Sequence, residues 1–105
     1  MSKLIELNET NFESNVLKAK VPVLVDFHSV FCAPCNALKP VLSELAKDVG
    51  EQAKVFTVEI GTNERLAEQY AIRVVPTLIV FYKGRLIHRL VGLQSKDFLK
   101  VALEV

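Results

Sequence analysis

An α/β fold, a mixed β-sheet flanked by helices on both faces, is predicted by three features of the sequence. From Pro34 to Val49 apolar residues recur at helical spacing, the pattern of a long amphipathic helix. Just before it, the run from Val21 to Phe27 is apolar except for Pro22 and Asp26, as a central strand covered on both faces requires. Near the C-terminus two apolar runs are separated only by Lys83-Gly84-Arg85, and strands joined by so short a loop pair antiparallel. Along the chain the order is βαβαβαββα, which implies a mixed sheet with helices on either side.

Each element has a local reason. Residues 3 to 7 read as a short strand. Thr10-Asn11-Phe12-Glu13 matches a capping box and opens a helix that runs to Lys18, with Phe12, Val16 and Leu17 inward. Pro22 is tolerated at the start of the second strand. In the long helix Ala37, Leu38, Val41, Leu42, Leu45, Ala46 and Val49 face inward while Lys39, Ser43, Glu44, Lys47 and Asp48 face outward; Pro40 kinks it and Gly50 ends it. Lys54 to Ile60 alternates as a strand, and a helix from Asn63 to Tyr70 turns Leu66, Ala67, Tyr70 and Ala71 inward. Leu78 to Tyr82 and Leu86 to Val91 are the hairpin strands, and Ser95 caps a last helix with Phe98, Leu99, Ala102 and Leu103 on its inner face.

The 105 residues suffice for one domain, 1–105, with a core of its own. Half of them are hydrophobic, which excludes disorder, and 13 Lys plus Arg against 12 Asp plus Glu leave no basic surface for nucleic acid. The opening Met1-Ser2-Lys3-Leu4-Ile5-Glu6 lacks the apolar core of a secretory signal, and no stretch approaches the length of a membrane span. The expectation is a soluble cytoplasmic protein.

The chain's two cysteines lie in Phe31-Cys32-Ala33-Pro34-Cys35, between the apolar strand and the long helix. A bridge closing so short a loop constrains little of the unfolded chain, so the pair is there for chemistry. A cysteine at the first turn of a helix meets unsatisfied N–H groups and the positive end of the macrodipole, which favour thiolate over thiol, making Cys32 the nucleophile. Cys35, one turn deeper on nearly the same face, is placed to resolve a disulfide formed at Cys32. Pro34 suits the start of a helix, where its missing N–H has no intrahelical partner to lose. A structural zinc needs four ligands, and beyond the cysteines only His28 and His88 remain, so no metal is expected.

Asp26 is a carboxylate in an apolar strand. Either backbone N–H groups satisfy it at a strand end, or burial raises its pKa toward the range in which it exchanges protons with Cys35. His28 shares its strand parity and falls on the same face. There it either makes Cys32 reactivity depend on pH between 5 and 8 or fills space as a polar packing residue. His88 reads as an ordinary, partly exposed residue of the last strand.

CxxC beside a βαβ pattern is the general mark of a thioredoxin-like redox motif. The chain resembles the thioredoxin family over essentially its whole length: Val23-Leu24-Val25-Asp26-Phe27, Cys32-x-Pro34-Cys35, Pro40, Tyr70-x-Ile72-Arg73-x-Val75-Pro76-Thr77, Gly84 and Gly92. The resemblance implies the thioredoxin fold, and a cis Pro76 facing the cysteines with the Val75 backbone pairing with a bound partner chain. It gives Asp26 its proton-exchange role, through water, and makes Phe31, Ala33, Pro34, Val75, Pro76, Val91, Gly92 and Leu93 an apolar rim around the cysteines. For Val75 and Val91 core packing is the competing reading. The family's activity is reduction of protein disulfides, with no bound cofactor and electrons from NADPH through a thioredoxin reductase. Its partners are disulfide-containing proteins and that reductase, with no membrane or nucleic acid, and a monomer is expected.

The sequence departs from the family pattern where tryptophans usually stand, at His28 and Phe31, at Ala33 for glycine, at Asn36 and Thr57 for lysine, and at Gly61 for aspartate. These bear on redox poise and partners. Ala33 stiffens the link between the cysteines, and Asn36 removes a cation near the thiolate. Thr57 removes one near Asp26, which predicts a further rise of the Asp26 pKa. Alternatives to a reductase are a disulfide oxidant or isomerase, or a non-catalytic binding or assembly module using the same groove. A glutaredoxin-like protein is disfavoured by the extra N-terminal strand and helix.

Overall fold

Five strands, β1 (Ile5–Leu7), β2 (Val23–His28), β3 (Lys54–Glu59), β4 (Thr77–Tyr82) and β5 (Arg85–Val91), form one sheet in the order β1-β3-β2-β4-β5. The structure, a computed structural model, describes residues 4–105, so Lys3 of the expected first strand lies outside the described residues. β1 and β2 run parallel to β3, and β4 runs antiparallel to β2 and β5. The mixed sheet expected of βαβαβαββα is therefore present. Its helices are α1 (Ala33–Val49), α2 (Glu64–Gln69) and α3 (Lys96–Leu103), with a π-type helix at Glu13–Leu17 and a 3₁₀ turn at Ile60–Thr62.

Strand periodicity divides the apolar residues between two cores. On one face Leu24, Val55, Leu78 and Val80 meet Leu38, Leu42 and Leu45 of α1 and Leu99 and Leu103 of α3. On the other, Val25, Phe27, Phe56, Val58, Ile79 and Phe81 meet Phe12, Val16 and Leu66. Phe12 lies edge-on to Phe81 at 5.8 Å between centroids, and Tyr70 lies edge-on to the same ring at 5.4 Å. Because both faces are covered, β2 is buried along its entire length, which explains why it is apolar but for Asp26 and His28.

Several local expectations are corrected. The helix-opening box sits two residues earlier than Thr10: Asn8 Oδ1 accepts from the Thr10 N–H at 2.9 Å and the Asn11 N–H at 3.2 Å, while Asn11 Oδ1 accepts from the Asn8 N–H at 2.8 Å. Ala37 and Phe98 are exposed, since each lies at the edge of its helix's apolar stripe. Ala71 is exposed too, because it closes α2 in a left-handed conformation (φ 54°), with the Ile72 N–H bonded to the Ala67 carbonyl at 2.8 Å. Gly50 ends α1 as expected, and the Ser95 hydroxyl caps α3 by accepting from the Phe98 N–H at 3.1 Å. The ion pair of Lys96 with Asp48 (2.8 Å) ties α3 to α1 and holds the Asp48 carboxyl below its ordinary range.

The hairpin turn is Lys83-Gly84, both at positive φ (51° and 82°), the two-residue turn whose twist matches the strands it joins. A Cβ at Gly84 would stand 3.1 Å from the Leu17 carbonyl oxygen, a backbone atom with little room to yield. Gly84→Ala is expected to cost about 1–2 kcal/mol, read as a lower urea midpoint with an unchanged slope.

Candidate active site

The cysteines occupy the junction where β2 gives way to α1. Cys32 is the N-cap of that helix, in extended backbone, and Pro34 follows within the first turn, where its ring is preorganised for the helix. The two cysteines are joined as a disulfide, with Cα atoms 5.2 Å apart. The Cys35 N–H points at Cys32 Sγ from 3.2 Å, so a charge on that sulfur is met by a backbone donor as well as by the helix end. Cys32 keeps 8% of its surface, whereas Cys35 keeps none.

Facing this pair is the loop before β4. The Val75–Pro76 bond is cis, and the Val75 carbonyl oxygen lies 3.8 Å from Cys32 Sγ. Two bonds fix the loop: the Thr77 hydroxyl donates to the Val74 carbonyl at 2.7 Å, and the Gly92 N–H donates to the Pro76 carbonyl at 2.9 Å. Pro76 and Thr77 are thus tied both to their own turn and to the end of β5. Phe31 projects almost bare into solvent at 96% exposure, flanked by exposed Ala33 and Pro34. Val91 and Leu93 are exposed, Val75 and Gly92 half-buried and Pro76 buried, so core packing does not account for Val91. Val30 and Val74, not singled out from sequence, are also exposed apolar residues, each beside a rim residue in the chain. Asn36 is exposed on α1, and His88 is exposed on β5.

Below the cysteines, on the sheet face that α1 covers, polar side chains interrupt the core. Register aligns Glu6 of β1 with Thr57 of β3 and Thr57 with Asp26 of β2, and His28 follows two residues along β2. Asp26 is fully buried and neither carboxyl oxygen has a hydrogen-bond partner, which rules out the strand-end reading with backbone donors. Burial pushes its pKa up to about 6; the charge of His28 opposes this, the Glu6 carboxylate adds to it, and Lys39 opposes it more weakly. His28 is buried and does not stand free beside the cysteines: its Nε2 lies 3.0 Å from Glu6 Oε1 and 3.2 Å from Oε2. The Thr57 hydroxyl donates to the same Glu6 Oε1 at 2.7 Å. Glu6 was the missing member of this group. Its one sequence signal is parity within a three-residue strand, which the register across β3 makes meaningful.

Among the described residues no group of three or more His, Cys, Asp or Glu is arranged to hold a metal ion, and no helix is long and apolar enough to cross a membrane. A buried sulfur, a surface-reaching sulfur at a helix start and an apolar rim together make a site for exchanging disulfides with another chain.

Comparison with known proteins agrees with this geometry. The family model for thioredoxin matches residues 3–104. Thioredoxin 1 of Synechococcus elongatus is 36% identical over 104 residues, covering 99% of this chain and 97% of its own. The thioredoxin of Buchnera aphidicola subsp. Schizaphis graminum is 42% identical over 103 residues, covering 94% of this chain and 95% of its own. Thioredoxin 1 of a Nostoc species is 38% identical over 104 residues, with 99% and 97% covered. The chain belongs to the thioredoxin family, and its activity is thiol–disulfide exchange at Cys32 and Cys35, the reduction of protein disulfides.

Proposed function

We propose that Cys32 is the attacking thiol, Cys35 the resolving thiol and Asp26 the group that takes the Cys35 proton. The observation that carries this assignment is the unequal exposure of the two sulfurs: a partner's disulfide can reach Cys32 and cannot reach Cys35. The Cys32 thiolate attacks one sulfur of the partner disulfide, forming a mixed disulfide and expelling a thiolate that takes a proton from solvent. Asp26 then accepts the Cys35 proton, and the Cys35 thiolate attacks Cys32 Sγ. The Cys32–partner bond breaks, and the second partner thiolate leaves and is protonated. Phe31, Ala33, Pro34, Val91 and Leu93 offer the partner an apolar seat, and the Val75 backbone, beside Cys32, pairs with its chain. Phe31 is the anchor of that seat, being an almost fully exposed aromatic next to the nucleophile.

The protein works as a monomer in the cytoplasm, binds no cofactor, and is returned to the dithiol by a thioredoxin reductase drawing on NADPH. Equilibrating it in graded dithiothreitol buffers and counting free thiols tests its direction. A midpoint near about −270 mV is expected of a reductase, whereas a value higher by about 60 mV or more assigns it to oxidation or isomerisation.

A further inference from the structure

We propose that Glu6 and His28 are positioning residues for the resolving step: Glu6 fixes the His28 ring on the strand face it shares with Asp26, and the charge of His28 there favours the ionised form of Asp26, ready to accept the Cys35 proton. The inference deepens the reading of Asp26 given above and rests on it.

Among the described residues, three buried side-chain nitrogen or oxygen atoms lack a hydrogen-bond partner: Asp26 Oδ1, Asp26 Oδ2 and His28 Nδ1. They are chemical complements. A protonated Nδ1 is a donor and a carboxylate is only an acceptor. The two side chains stand two residues apart on one strand, so both project from the same face, about 7 Å apart at their bases. The other ring nitrogen is already engaged by both oxygens of Glu6, which is half exposed and is itself fixed by the Thr57 hydroxyl. A ring fixed this way, on the same strand face as Asp26, puts its charge where it opposes the rise that burial imposes on that carboxyl.

The surrounding charges leave few competitors for the role. On β1 the neighbour is Glu6, and on β3 it is Glu59, paired in register with His28 but turned away to bond the Gly61 N–H and the Thr62 hydroxyl. On β4 the residue opposite Asp26 is Leu78, which carries no charge. On α1 the groups are Cys35 and Lys39, and the ammonium of Lys39, on an exposed residue, acts on Asp26 less than His28 does. Of this set His28 is the buried group whose charge favours ionised Asp26, and it outweighs the opposite effect of the Glu6 carboxylate that fixes it. When Asp26 takes the Cys35 proton it becomes neutral, and the Glu6–His28 pair remains balanced.

The test compares the parent protein with His28→Gln, His28→Trp, Glu6→Gln, the Glu6→Gln/His28→Gln double variant and Asp26→Asn. The Asp26 carboxyl carbon is followed by NMR against pH in the oxidised proteins. Stopped-flow reaction of the reduced proteins with 5,5′-dithiobis(2-nitrobenzoate) releases one thionitrobenzoate when Cys32 attacks and a second when Cys35 displaces it. Both His28 variants are expected to raise the Asp26 midpoint by about half a pH unit or more, and to slow the second release about twofold or more near pH 6. The first release should be unchanged. In the Glu6→Gln background the effect of His28→Gln on the midpoint should fall by half or more, since the ring then lacks the carboxylate that fixes it. A packing role alone would lower stability and leave the Asp26 midpoint in place. A midpoint in both His28 variants within about 0.2 pH unit of the parent overturns the proposal, provided Asp26→Asn still slows the second release. If Asp26→Asn releases the second thionitrobenzoate as fast as the parent, the role of Asp26 itself falls and the proposal falls with it.

Discussion

Cys32→Ser is expected to reduce disulfide-reductase turnover to the uncatalysed background, and Cys35→Ser to stop the protein after one half-reaction with its partner covalently attached. The two outcomes differ because the sulfurs differ in surroundings. Cys32 sits at the N-cap of α1 with the Cys35 N–H 3.2 Å from its sulfur, so its thiolate is stabilised by a donor and by the helix end. A serine hydroxyl in the same place is not ionised near neutral pH, and buried Cys35 has no surface with which to replace it. With Cys35→Ser the nucleophile is intact and attack proceeds, but no second thiol is present to displace the partner. Incubating each reduced variant with a protein disulfide and weighing the products under non-reducing conditions separates the cases. One equivalent of partner on Cys35→Ser and none on Cys32→Ser is the expected result; a covalent adduct on Cys32→Ser would reverse the assignment of roles.

What could be read from the sequence was whatever depends on neighbours along the chain. CxxC at a strand-to-helix junction, the short hairpin loop and the 3.6-residue pattern of α1 are local, and each appears where expected. Asp26 stood out because a carboxylate in an otherwise apolar strand is costly to ionise. The misreadings arise where a short-range signal has a near equivalent. Asn8 and Thr10 are both good cap residues two positions apart, and the geometry of the chain leaving β1 selects Asn8. Ala71 gives no warning of a left-handed conformation, because alanine adopts it only when the following Ile72–Ala67 bond requires it. Glu6 was unreadable for a different reason. Its partners His28 and Thr57 are 22 and 51 residues away, and they meet it only because the strand order places β3 between β1 and β2.

Asp26→Asn is expected to gain stability relative to the parent by about 2.4 kcal/mol as the pH is raised from 4 to 8. In the folded parent the Asp26 pKa is raised from 3.8 to about 6 by burial, so the folded state binds this proton more tightly than the unfolded state does. The parent is therefore favoured below the unfolded value and loses that advantage as the pH rises through the folded one. The full difference of about 2.2 pH units corresponds to about 3 kcal/mol at 1.36 kcal/mol each, of which about 2.4 kcal/mol falls between pH 4 and pH 8, because at pH 4 the unfolded carboxyl is already partly ionised. Asparagine cannot ionise, so the variant escapes this loss. Its buried amide adds an offset of its own at all pH values, which is why the change between the two conditions, and not the value at either, isolates the ionisation. Urea unfolding of both oxidised proteins at pH 4 and pH 8 measures it. Stability differences that stay constant between the two conditions would show that Asp26 titrates as an exposed carboxylate, and its part in deprotonating Cys35 would go with that result. The expected divergence would mean that the parent tolerates an ionised group in its core, where asparagine would be less costly at neutral pH. Such a cost is explicable if the resolving step needs a base beside a buried thiol.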